Sequence, residues 1–234
     1  MKIGLVTYEC RNGDTLFNMS QIRLAAKNNL GATLLCFGEA FLQGFDAFKW
    51  DYSIDKTIAI TKDSLIMKEI ESYSKKYNVD LLFGYLEKDG EYLYSSSAFI
   101  ENGKLVHNYR RISKGWKEYS ITDYHYKEGT NITTFQYKSR SITLALCGDM
   151  WTTPEKFTTS DILIWPVYVS FSKLEFMTEK EEYALQSRLA SNNVVMVNVI
   201  MKKPLSHGGA FYFKNGKIKK ELSFDKEDIM YVDL

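Results

Sequence analysis

Two Asn-Gly pairs, Asn102-Gly103 and Asn215-Gly216, each sit between runs rich in β-branched and aromatic residues. Asn-Gly is the strongest short-range signal for a two-residue hairpin, because both turn positions need a positive φ. The flanking runs, Tyr92 to Glu101 with Lys104 to Arg111 and Ala210 to Phe213 with Lys217 to Leu222, are therefore expected to pair antiparallel. Elsewhere the chain carries short, continuous apolar runs of the kind that need cover on both faces, such as Thr33 to Phe37, Val79 to Tyr85 and Asp161 to Val169. Hairpins and doubly covered strands together require an α/β fold with mixed sheets, and they fit a doubly wound parallel sheet less well.

Helices are expected between these strands. Asp14 or Thr15 opens one that runs through about Asn29, with Leu16, Met19, Ile22 and Ala26 on its apolar stripe and Gly31 closing it. Thr61 to Lys76 and Glu175 to Ala190 read as two more. Ile3 to Tyr8, Ile132 to Tyr137, Ser141 to Leu146, Val194 to Ile200 and Ile229 to Leu234 complete the strand set. With no Pro/Ser-rich linker and no internal repeat, residues 1–234 are expected to form a single domain.

Composition excludes several function classes. Thirty basic and 29 acidic side chains leave a net charge of +1, so no nucleic-acid footprint is expected. No apolar run reaches membrane-spanning length. Three widely spaced cysteines, Cys10, Cys36 and Cys147, form no disulfide framework and fit a cytoplasmic location. The three histidines share no metal-ligand spacing, so no zinc or copper site is expected, and phosphate-cradling and serine-nucleophile motifs are absent.

Chemistry gathers at three strand ends. Thr33 to Gly38 runs into Glu39, Ser141 to Leu146 runs into Cys147-Gly148-Asp149, and Tyr109 to Ser113 runs into Lys114-Gly115. In layered α/β folds, sites form at the carboxyl ends of strands. A thiol needs a base, which Glu39 supplies; a cation such as Lys114 would stabilise the oxyanion, and the N–H of Gly148 would add a second donor. Read from residues alone, Glu39 serves equally as a helix cap and Lys114 as a surface lysine.

Six segments, in order, resemble the nitrilase (carbon–nitrogen hydrolase) superfamily. They are Phe37-Gly38-Glu39-Ala40-Phe41, Tyr109-Arg110-Arg111-Ile112, Leu146-Cys147-Gly148-Asp149 with Pro154-Glu155, Asp161 to Pro166, Arg188 to Asn198, and His207-Gly208-Gly209 with the last hairpin. The resemblance implies a four-layer α-β-β-α sandwich with two mixed sheets and no cofactor. It implies hydrolysis of a small amide or carbamoyl compound by a Glu-Lys-Cys triad, here Glu39, Lys114 and Cys147, in a homodimer. The chain departs from the pattern in three ways. Arg111 stands where the family places its lysine, with Lys114 three residues on, so Arg111 is the alternative cation. The family's second glutamate has only Glu118 or Asp123 as candidates. Gly148 follows the nucleophile where an aromatic residue is common, and Trp151 replaces a carboxylate-binding arginine. Trp116, Trp151 and Tyr168 are then expected to wall a substrate site. A catalytically silent binding protein on the same fold, or a glutaminase-type subunit supplying ammonia, are the competing readings.

Overall fold

The computed structural model describes residues 1–234. Six strands form one sheet: β1 (Lys2–Val6), β2 (Leu34–Cys36), β3 (Asp80–Asp89), β4 (Tyr92–Glu101), β5 (Lys104–Arg110) and β14 (Ile229–Asp233), in the order β14-β1-β2-β3-β4-β5. Six more form a second: β6 (Thr133–Tyr137), β7 (Arg140–Leu144), β8 (Ile162–Val167), β9 (Asn193–Asn198), β12 (Ala210–Lys214) and β13 (Lys217–Leu222), in the order β13-β12-β9-β8-β7-β6. A small hairpin of β10 (Ile200–Lys202) and β11 (Leu205–His207) stands apart. Both sheets are mixed: β1-β2-β3 and β7-β8-β9 are parallel, and the outer strands are antiparallel.

Strand alternation builds the layers. On the first sheet Ile3, Leu5, Leu34 and Cys36 point between the sheets, where they meet Ile142, Leu144 and Ile164 of the second. Their sequence neighbours Val6, Leu35 and Phe37 point outward, onto α1 (Thr15–Lys27) and α3 (Leu65–Tyr77) through Ile22, Ala25, Met67 and Ile70. The outer face of the second sheet is covered by Phe176, Tyr183 and Ala184 of α5 (Lys173–Ser187). The result is an α-β-β-α sandwich, and it explains why the central strands read as continuous apolar runs: each side is buried. Cys36 is fully buried between the sheets, where burial pushes its thiol well up and leaves it inert.

Both Asn-Gly pairs form their hairpins, with φ of 51° and 76° at Asn102-Gly103 and of 52° and 72° at Asn215-Gly216. Helix ends differ from expectation where side chains intervene. The first helix stops at Lys27, and Asn29 closes the following turn by bonding both the N–H and the C=O of Ala32. The next expected helix opens at Leu65 rather than Thr61, because Ser64 caps it, and α5 opens on a Ser172–Glu175 capping box. Two short helices, α2 (Tyr52–Ile58) and α4 (Asp149–Thr152), and the β10–β11 hairpin have no clear sequence signal. No helix is long and apolar enough to cross a membrane.

Phe99 is fully buried and packs edge-on against Phe135 at 4.8 Å and Tyr137 at 5.1 Å, joining the two sheets. Phe99→Ala is expected to lower unfolding free energy by about 3–5 kcal/mol in denaturant titration, whereas Leu174→Ala on the exposed face of α5 should change it by less than about 0.5 kcal/mol.

Candidate active site

The carboxyl ends of β2, β5, β7 and β8 open onto one place. Glu39 leaves β2 through a tight passage: a side chain at Gly38 would meet Val199 Cγ1 at 2.5 Å, and one at Gly84 would meet the Ala40 nitrogen at 2.3 Å. Glu39 is 1% exposed, and its N–H donates to Val167 O of the opposite sheet. Its Oε1 accepts from Ser95 Oγ at 2.9 Å and from Arg111 Nη1 at 2.9 Å, while Oε2 is buried without a protein partner. A buried carboxylate oxygen left open in this way is poised to act on something else.

Arg111 follows β5 directly. Its N–H donates to Ser95 O, so Ser95 holds both the backbone of the cation and the carboxylate. Strand alternation sends Arg110 to the opposite face, where it forks onto the buried Glu87 at 2.9 and 2.6 Å. Arg111 turns inward, 4% exposed, with Nε donating to Ser113 Oγ at 2.8 Å and Nη2 to Lys114 O at 3.4 Å. Burial alone would weaken its hold on the proton; the charges of Glu39, Cys147 and Asp149 outweigh that and keep its pKa above the usual value.

Cys147 stands on a sharp turn with φ of 38°, uncommon for a residue with a side chain. Its N–H donates to Pro166 O, its C=O accepts from Trp165 Nε1 at 2.9 Å, and its thiol lies 3.7 Å from Tyr168 O. Burial pushes the thiol up to about 12 and the Glu39 carboxylate adds to the rise, while the Arg111 cation pulls the other way, less strongly. At neutral pH the resting group is therefore a thiol.

The residue that joins these parts is one that sequence reasoning left without a role. Asp149, fully buried, accepts four hydrogen bonds: from Tyr109 Oη at 2.6 Å and Leu146 N at 2.8 Å on Oδ2, and from Ile112 N at 3.1 Å and Ser113 N at 2.7 Å on Oδ1. It fastens the turn after β5 to the elbow of Cys147. The signal was present in the string Cys147-Gly148-Asp149, where an acid beside a buried elbow has few partners other than backbone N–H groups.

The same turn decides which basic side chain stands beside Glu39. Held by Asp149 at residues 112 and 113, the chain turns Lys114 out to solvent, where its Nζ lies 5.6 Å from the centre of the Tyr119 ring. No bulge re-aims it, and Arg111 occupies the position beside Glu39. Glu118 is exposed and bonds Ser120, and Asp123 bonds His125, so neither carboxylate joins the group. Of the expected walls, Tyr168 borders the thiol through its carbonyl, stacks on Phe45 at 4.7 Å and donates its hydroxyl to Asp46 at 2.9 Å. Trp151 is 42% exposed and lies edge-on to Tyr183 at 5.0 Å. Tyr183, buried and pushed up by burial and then by the charge of Cys147, is a neighbour the sequence did not reveal. Trp116 is buried near Ala40 and Tyr126, with its indole N–H unpartnered. No three His, Cys, Asp or Glu side chains are grouped so as to hold a metal.

A carbon-nitrogen hydrolase family model matches residues 11–234. Among curated proteins, a nitrilase of Meyerozyma guilliermondii is 35% identical over 86 residues, 33% of this chain and 27% of its own length. An aliphatic nitrilase of Rhodococcus rhodochrous is 29% identical over 127 residues, 50% of this chain and 32% of its own. The chain thus spans about a third or less of either relative. Among solved structures, a mutant of the Nesterenkonia AN1 amidase from the nitrilase superfamily superposes with a TM-score of 0.81 at 16% identity, covering 100% of this chain and 90% of that one. At that identity the likeness is one of fold.

Asp149→Asn replaces one acceptor oxygen with a donor and leaves at least one backbone N–H, of the turn or of the elbow, unmatched. Stability is expected to fall by about 1–3 kcal/mol. Denaturant titration of the two proteins measures that loss.

Proposed function

Because this chain belongs to the carbon–nitrogen hydrolase family, we propose that it hydrolyses a small non-peptide amide through a thioester on Cys147, with Glu39 as base and Arg111 as the oxyanion cation. The observation that carries this reading is the open Oε2 of a buried Glu39 whose other oxygen is held by Arg111, close enough to the Cys147 thiol to raise it.

Attack begins as Glu39 takes the thiol proton and the sulfur bonds the substrate carbonyl carbon. The carbonyl π electrons move onto oxygen, and the guanidinium of Arg111 with the N–H of Gly148 stabilises that oxyanion. Collapse of the tetrahedral intermediate breaks the C–N bond. Glu39 returns its proton to the departing nitrogen, which leaves as ammonia or an amine. Water then attacks the thioester while Glu39 accepts its proton; the C–S bond breaks, the carboxylic acid departs and the sulfur regains a proton from Glu39. Arg111 cannot relay a proton, since a guanidinium stays charged throughout. Every proton transfer therefore passes through Glu39.

The buried Arg111 answers the displaced lysine that favoured a silent binding protein, because a fixed cation is present beside the carboxylate. Aromatic neighbours Tyr168, Tyr183 and Trp151 favour a small, largely apolar acyl group.

The test is ammonia release from a panel of small amides, ureides and nitriles. Cys147→Ala is expected to abolish release without a change in melting temperature, and Glu39→Gln to slow it by roughly 100- to 10,000-fold. Arg111→Met should slow it by about 100- to 1000-fold, while Lys114→Ala, an exposed change, should leave it within about twofold. Full turnover by the Cys147→Ala protein would refute the reading, and a loss in Lys114→Ala as large as in Arg111→Met would refute the assignment of the cation.

A further inference from the structure

Position 148 holds a glycine that its backbone does not call for. With φ of −64° and ψ of −10° it lies in the ordinary right-handed region, open to any residue. An alanine in that conformation would normally favour the folded chain by restricting the unfolded one. Cys147 beside it is the strained member of the pair.

Space is what the glycine provides. A side chain at 148 would place its Cβ 2.4 Å from Arg111 Nη2, 3.2 Å from Ser113 Oγ and 3.4 Å from Arg111 Cζ. The first distance is far inside van der Waals contact, and the atom concerned is not free to retreat. The guanidinium is pinned by Ser113 at Nε, Glu39 at Nη1 and Lys114 O at Nη2, and it is 4% exposed.

We infer that Arg111 and Gly148 are a matched pair, in which the guanidinium occupies the room that a side chain after the nucleophile would fill, so that Gly148 acts as a positioning residue for the cation. The inference rests on the catalytic reading given above. Protein atoms take three of the guanidinium's five N–H donors, leaving one on each Nη. A flat, two-donor cation against the elbow offers a developing oxyanion more than the single point of an ammonium, and Gly148 is the condition for its presence. A lysine at 111 has no atom equivalent to Nη2. The conflict with a methyl group at 148 should therefore vanish when arginine is replaced by lysine.

The experiment is a double-mutant cycle on Gly148→Ala and Arg111→Lys. Acylation of Cys147 by p-nitrophenyl acetate is followed by nitrophenolate release and by the mass of the labelled peptide, alongside melting temperature. Gly148→Ala is expected to slow acylation by about 100-fold, the loss typical of one displaced oxyanion donor. Arg111→Lys alone is expected to slow it by about tenfold, and the double variant to acylate at least about tenfold faster than Gly148→Ala. Losses that multiply in the double variant, or a Gly148→Ala protein as fast as the parent, would overturn the pairing. If Gly148→Ala does not fold, adding Arg111→Lys should restore the melting transition, and failure to restore it would equally overturn the pairing. A parent protein that is never acylated at Cys147 would instead strike at the catalytic reading on which the pairing rests.

Discussion

The buried ion pair between Glu39 and Arg111, at 2.9 Å with both side chains almost wholly out of solvent, is the interaction on which the site depends. Burying two charges is expensive, and the attraction between them compensates only when the remaining donors and acceptors are satisfied. Here the neighbours meet most of that demand: Ser95 on the carboxylate, and Ser113 and Lys114 O on the guanidinium. One carboxylate oxygen is left over, buried and without a protein partner.

The two sheets provide the rigidity this requires. Glu39 and Arg111 come from the sheet that carries β2 and β5, and Cys147 and Tyr168 from the one that carries β7 and β8. The aromatic and aliphatic layer between the sheets fixes their separation, and the N–H of Glu39 reaches Val167 O directly across it. Asp149 locks two turns together, since one carboxylate accepts from both the turn after β5 and the elbow after β7. The backbone that carries the cation is thereby held against the elbow, and Ser113, Glu39 and Lys114 O fix the guanidinium itself.

Much of this was legible in the sequence. The hairpins were readable because Asn-Gly leaves few other conformations, and the central strands because burial on both faces demands unbroken apolar runs. Glu39 and Cys147 were readable because each ends such a run beside glycine. Lys114 would reach Glu39 only by way of a local bulge, and strand alternation puts Arg111 there instead. With Arg110 facing Glu87, residue 111 must face the other way, and the next two residues are claimed by Asp149. That claim is a contact between residues 36 and 37 positions apart, which no local pattern carries. Tyr183 was hidden for a different reason: it lies on an amphipathic helix whose apolar face reads as ordinary core.

The central claim is that an acyl group passes through the sulfur of Cys147. Its most direct measurement is rapid-quench mass spectrometry of the protein during turnover of a hydrolysed amide. The account predicts a transient gain equal to the acyl mass, confined to the peptide containing Cys147 and decaying as the acid appears. Release of ammonia with no adduct on that peptide at any quench time would contradict it.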